Sequence, residues 1–382
     1  GFGGNAVLFL VDGERLAGET MDNVDYSRLN LDNVGRIEIV KGAASALYGA
    51  NAVAGVVNII SRENSEPWTA NVNTRYNDFN KEWRHGGSFS FNAGKWNSQT
   101  SIQRTTSDEV QLTSPFDTES NILHIYGGET FNVKERLTYK FSDKVKLIGR
   151  GGYFNRISKR SNYDDHYMDY SAGLKTVMNL SENDNLEISY GFDQYDKARY
   201  VSDERTHDHD YTNRQNTVRA LYSHIFGKNT LTVGADFLND YLTTYQFEDN
   251  ASKNQNSCDA FAQFDYNPLQ WLNIVASLRH DYFSASSQHA TTGRLALMTK
   301  WKGFSIRANY AGGFRAPTLK EMYMNFDMAG MQMIYGNPDL KPEKSNNYNL
   351  ALEHTGRVKN AGFFTGQYSL TLMGYYNKYD KR

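Results

Sequence analysis

Leu186-Glu187-Ile188-Ser189-Tyr190-Gly191-Phe192-Asp193 carries a large apolar side chain at every even position and a small, polar or charged one at every odd position. Successive side chains of an extended strand point to opposite sides, so period two marks a strand whose faces meet different surroundings. The alternation recurs at Leu231, Val233, Ala235 and Phe237 against Thr230, Thr232, Gly234 and Asp236. It recurs again at Phe304, Ile306, Ala308 and Tyr310 against Ser305, Arg307 and Asn309. A soluble sandwich would alternate in the same way. Length separates the two readings: many segments run for about ten residues or more, the span a tilted strand needs to cross a bilayer, whereas soluble strands usually have about five or six.

The connections alternate as well. Short turns fall at 142–144, 181–184, 227–229 and 302–303, and long polar loops lie near 106–128, 158–166, 198–212, 244–256 and 313–345. Short turns on one side and long loops on the other are the pattern of a bacterial outer-membrane barrel. Trp96, Trp271 and Trp301 sit beside short turns, where a periplasmic aromatic girdle belongs. We count about fifteen strands, fewer than the 22 or so of a plugged transporter barrel. Both chain ends, Gly1-Phe2-Gly3-Gly4 and Lys381-Arg382, read as cuts.

Composition agrees. With 41 basic and 43 acidic residues the formal charge is -2, which gives no support for a nucleic-acid partner. No apolar run approaches the roughly twenty residues of a spanning helix. A membrane barrel averages out as hydrophilic because its strands alternate, so a mean hydropathy of -0.65 is compatible with one. The single cysteine, Cys258, precludes an internal disulfide.

Residues 1–62 are organised differently from 63–382. Val7 to Val11 is a continuous apolar run, expected to be a strand buried on both faces, and Asp12-Gly13 supplies a turn. Ile37 to Val40 and Gly55 to Ile60 read as further strands, and Ala43 to Leu47 as a helical turn closed by Gly49. The result is a small mixed α/β unit.

That unit carries a family signature. Arg36-Ile37-Glu38-Ile39-Val40-Lys41-Gly42, Ser45-Ala46-Leu47-Tyr48-Gly49 and Gly55-Val56-Val57-Asn58-Ile59-Ile60 resemble the plug of TonB-dependent outer-membrane receptors. Gly1 to Asn5 and Leu10-Val11-Asp12-Gly13 look like further plug segments, and Phe314-Arg315-Ala316-Pro317 with Gly336 to Glu343 resembles paired barrel boxes of the same family, best known from its haem receptors. The family's usual R-G-P is Lys41-Gly42-Ala43 here. The resemblance implies a mainly β fold: a large antiparallel transmembrane barrel of about 22 strands when complete, with the mixed α/β plug in its lumen. It further implies TonB and its energising proteins as partners, outer-membrane lipid around the wall, and residence in a Gram-negative outer membrane. A surface lipoprotein is compatible with it. Plug cations are expected to meet barrel carboxylates: Arg36 and Lys41, with Glu38, Glu321 and Glu343 as partners.

Haem is slightly favoured as ligand, with a ferric siderophore or cobalamin as alternatives; the cargo would carry iron or cobalt, with no prosthetic group in the protein. The haem subgroup has a histidine between its two boxes. Residues 318–336 have none, but offer Met322, Met324, Met328, Met331 and Met333 with Tyr323 and Tyr335, and Arg315 lies beside them. Thioether sulfur can ligate haem iron, and flexible Met side chains suit a flat apolar ligand. His207 and His209 are weak metal candidates, both on one face if extended; His166 and His289 are read as loop residues. A passive porin is disfavoured by the plug-like segment. No arrangement of nucleophile and base marks a barrel hydrolase, so the chain is not expected to be an enzyme.

Overall fold

The computed structural model describes residues 7–16, 19–20, 23–29, 34–41, 55–112, 123–207, 210–248, 251–327, 331–361 and 364–379. The N-terminal unit is a four-stranded sheet of β1 (Val7–Val11), β2 (Glu14–Arg15), β3 (Val34–Lys41) and β4 (Gly55–Ser61), in the order β2-β1-β4-β3. The β1–β4 pair is parallel and the other two are antiparallel. Leu8 and Leu10 of β1 pack on Val56, while Val7, Phe9 and Val11 are only half-buried. The run expected to be buried on both faces therefore has one fully covered face. Its other face has Phe9 edge-on to Tyr26 with ring centres 5.1 Å apart. The helical turn expected at 43–49 lies outside the described residues.

Fifteen long strands form one antiparallel sheet, each paired with its sequence neighbour. They are β5 (Trp68–Asn77), β6 (Glu82–Ala93), β7 (Trp96–Ser107), β8 (Gly128–Lys140), β9 (Val145–Lys159), β10 (Asp164–Asn179), β11 (Asp184–Val201), β12 (Tyr211–Phe226), β13 (Asn229–Thr243), β14 (Ser252–Leu269), β15 (Leu272–Phe283), β16 (Gln288–Trp301), β17 (Phe304–Arg315), β18 (Glu343–Ala361) and β19 (Phe364–Tyr379). Among the described residues, β5 and β19 each have one paired edge only. This is the wall of a large antiparallel barrel whose inner face meets the plug.

Alternation sorts the two faces. Asp193 and Tyr195 of β11 are buried toward the plug, while Ile188 and Tyr190 stay 44% and 43% exposed on the outer side. Outer-face tyrosines pair across strands, Tyr153 with Tyr170 at 5.4 Å and Tyr310 with Tyr348 at 5.2 Å. Trp96, Trp271 and Trp301 are exposed at the ends beside the short turns, as a membrane-interface girdle requires. The turns have suitable chemistry. Lys302 (φ 43°) and Gly303 (φ 87°) both take left-handed backbone, the geometry that lets a two-residue hairpin follow the right-handed strand twist.

Two expected loop residues lie elsewhere. His166 belongs to β10 and His289 to β16, because these strands continue past the length a bilayer demands. His289 Nδ1 lies 3.2 Å from His280 Nε2 on the neighbouring strand.

Candidate functional site

The densest buried polar contacts lie where plug meets wall, in three clusters. The first is built on a short 3₁₀ turn, Tyr26–Arg28, capped by Asp25, whose carboxylate accepts from the Ser27 amide. Arg28 is 3% exposed. Its Nη2 reaches Asp193 Oδ2 at 2.9 Å and also meets Asp169, from adjacent strands of the wall. The Tyr195 ring lies 5.1 Å from the guanidinium, and Asn132 donates to the Arg28 carbonyl at 2.9 Å. Tyr195 donates to Asp25 at 2.9 Å, and Arg156 pairs with the same carboxylate at 3.0 Å. Burial works against the Arg28 charge, but Asp193 and Asp169 outweigh it and hold the guanidinium above its ordinary pKa.

The second cluster is a tight turn clasped by one wall arginine. Asp12 (φ 52°) and Gly13 (φ 87°) turn the chain between β1 and β2. Asp12 accepts from the Ser61 amide at 2.9 Å and its hydroxyl at 2.7 Å, which fixes the turn to β4. Arg150 of β9 pairs with Glu14, lies 3.6 Å from Asp12 Oδ2, and donates to the carbonyls of Val11 and Asp12 at 3.5 and 3.4 Å. Burial pushes the Glu14 carboxyl up to about 7; Arg150 pulls it down, and Asp12 adds to the rise.

The third cluster centres on Arg279 of β15, which meets Asp259 at 2.5 Å, Asp281 at 2.9 Å and Asp236 at 3.2 Å. Arg15 of the plug is held below its ordinary pKa by burial first and by Arg279 second, with the three aspartates opposing.

Of the ion pairs expected from sequence, Arg36 has its partner within the plug, Glu321 and Glu343 have theirs on Arg315, and the Lys41 side chain lies outside the described residues. Arg36 pairs with Glu38 two residues away, at 2.7 Å and largely exposed. Lys41 lies in β3. Glu321 and Glu343 both clasp Arg315, itself 6% exposed: two parallel 2.9 Å bonds to Glu321 and one of 2.9 Å to Glu343. Arg315 therefore ties the end of β17 to the start of β18 and to a short helix, α1 (Leu319–Tyr323). Thr318 caps α1 in a reciprocal box with Glu321.

The methionine-rich segment divides into two. Met322 is 1% exposed and packs with Leu242, Phe247 and Leu319, with Tyr323 and Met324 against the same cluster. Met331, Met333 and Tyr335 are 75%, 47% and 71% exposed beside or within a small hairpin of 325–327 and 333–335. His207 stacks on Tyr245 at 4.0 Å and its Nδ1 lies 2.9 Å from Asp210. Met328 and His209 lie outside the described residues. Among the described residues, no three His, Cys, Asp or Glu side chains converge as a metal site.

Sequence reasoning missed Arg28, Glu14, Arg150, Asp169 and Arg279. An Asp or Arg on the polar side of an alternating strand, as at Asp193, was the available signal for the wall partners.

Comparison with known proteins agrees with this architecture. Residues 1–56 match the family described as TonB-dependent receptor plug domain, and residues 73–382 match TonB dependent receptor-like, beta-barrel. The vitamin B12 transporter BtuB of Vibrio cholerae is 26% identical over 378 residues, covering 92% of this chain and 57% of its own length. The chain thus spans little more than half of that relative. Among solved structures, the siderophore receptor PirA from Acinetobacter baumannii superposes with a TM-score of 0.77 at 15% identity, over 98% of this chain and 70% of its own. The hemophore receptor HasR of Serratia marcescens, solved with its hemophore HasA and heme, gives 0.76 at 12% identity, over 99% and 66%. An N-terminal plug seated by buried ion pairs on a long-stranded wall, matched by these families over most of its length, makes this chain a member of the TonB-dependent receptors.

Proposed function

We propose that the full-length protein actively imports a scarce, bulky metal chelate across a Gram-negative outer membrane, with TonB supplying the pull that remodels the plug. One observation carries this reading: Arg28 and Arg150 join plug to wall from opposite sides, Arg28 through two buried wall carboxylates and Arg150 through two half-buried plug carboxylates. A lumen held shut by charged, hydrogen-bonded contacts can be reopened, because those groups regain water when parted, whereas a dry apolar seal cannot exchange partners so readily. Opening needs two states that cargo and TonB stabilise differently. A passive porin has no use for such a seat.

Cobalamin stands first as cargo, because the vitamin B12 transporter of V. cholerae aligns with 92% of the chain; a ferric siderophore or haem follows. Haem ligation would need free methionine sulfur, and Met322 is committed to packing. Met331, Met333 and Tyr335 are the residues we assign to cargo contact, since they stand exposed together. The test is titration of the purified full-length receptor with cyanocobalamin, ferric enterobactin and haemin, followed by uptake in cells with and without a proton gradient. Tight binding of one ligand with gradient-dependent uptake is expected. Uptake that continues after the gradient is collapsed would overturn active import.

A further inference from the structure

Four inward residues share one rung of the wall: Arg150 of β9, Gly173 of β10, Gly191 of β11 and Thr217 of β12 are successive register partners. The two central positions have no side chain, so the inner surface has a notch two strands wide, bounded by Arg150 and Thr217. Glu14 of the plug fills it. A Cβ added at Gly173 would lie 2.8 Å from both Glu14 carboxylate oxygens, and one at Gly191 would lie 2.7 Å from Thr217 Oγ1 and 3.7 Å from the Glu14 carboxylate carbon. Alanine at Gly173 would displace the Glu14 carboxylate from the notch.

Glu14 also lines three adjoining cavities between plug and wall. One of about 120 Å³ runs beside Arg28 and Asp193, one of about 130 Å³ beside Arg279 and Pro317, and one of about 310 Å³ beside Lys175, Glu187 and Arg219. Arg15 adjoins the first two, whereas Asp12 and Arg150 adjoin the first and third. Among the described charged residues of the plug, Glu14 alone touches all three.

We propose that Glu14 is a removable partition: seated in the Gly173–Gly191 notch it keeps the three cavities apart, and its withdrawal joins them into the passage that cargo takes along β9 to β15. This rests on the import reading and names where that opening occurs. The turn is suited to withdrawal as a unit, because Asp12 and Gly13 are tied to β4 through Ser61 and Asn58 and would carry Glu14 with them.

The experiment needs no cargo. The full-length protein is placed in planar bilayers in KCl, and its conductance is compared with that of Glu14→Ala, Gly173→Ala and, as control, Gly151→Ala, where a Cβ meets nothing within 4 Å. Both Glu14→Ala and Gly173→Ala should raise the frequency of ion-conducting openings several-fold, and the control should leave it unchanged. A second variant, Glu14→Cys with Gly191→Cys in a Cys258→Ser background, compares one folded protein with itself: openings should be suppressed when it is oxidised and return on reduction. Openings equally frequent in the oxidised and reduced protein, or unchanged in Gly173→Ala, overturn the proposal. Neither result bears on import, which fails separately if uptake proves independent of the proton gradient.

Discussion

At Arg28 the guanidinium is almost fully withdrawn from water, between Asp169, Asp193 and the Tyr195 ring. Removing it leaves two carboxylates in a low-dielectric space, so Arg28→Ala should cost the plug's seating about 3–5 kcal/mol. Hydrogen exchange over residues 7–16 and 23–29 should quicken accordingly; unchanged protection would show that the pair carries no load. Glu14 gives a pH dependence with a defined sign. Burial holds its carboxyl at about 7 when seated, above its ordinary value of 4.5. The seated state therefore holds the proton more tightly, and seating is strongest at the acid end. It weakens as pH rises from about 4.5 to about 7, by on the order of 3 kcal/mol in all. Thermal unfolding of the plug followed across that range should show the decline, and Glu14→Gln should flatten it.

Among the elements, α1 shows how a short helix can organise a loop. Its Thr318 cap contributes on the order of 1 kcal/mol, and Arg315 fixes its first turn to both neighbouring strands. Thr318→Ala should raise hydrogen exchange across 316–324 modestly. Met322→Ala, which empties a packed site beside Leu242 and Phe247, should cost about 2–5 kcal/mol and release the exposed hairpin as well. If Met322→Ala left the loop's exchange untouched, the packing role would fall. This helix was legible: Thr318-Leu319-Lys320-Glu321 has the spacing of a capping box, whereas the five methionines of 322–333 make the segment look like one loop. Composition told which residues could bind, and only packing told which had already been used.

Over the whole molecule, the long strands and their faces could be read directly, because lipid on one side and plug on the other impose period two on Leu186 to Asp193. The seat of the plug could not. Arg28 meets Asp169 and Asp193 across 141 and 165 residues of sequence, and no local pattern names a partner at that distance. Arg36 and Glu38 stood out because they lie in a recognisable segment, yet they pair with each other. The membrane reading makes its own prediction: tryptophan fluorescence from Trp96, Trp271 and Trp301 should be quenched by lipids brominated near the headgroups more than by those brominated near the bilayer centre. The reverse order would place these turns elsewhere.

Strict alternation has one more result, for assembly. A strand that slips by a single residue exchanges its two faces completely. For β9, β10, β11 or β15 such a slip would turn Arg150, Asp169, Asp193 or Arg279 out into hydrocarbon, where an arginine near the midplane costs about 2–4 kcal/mol. It would also bring tyrosine and leucine against a polar plug. The charges that hold the plug thus also make a slipped strand costly in the bilayer.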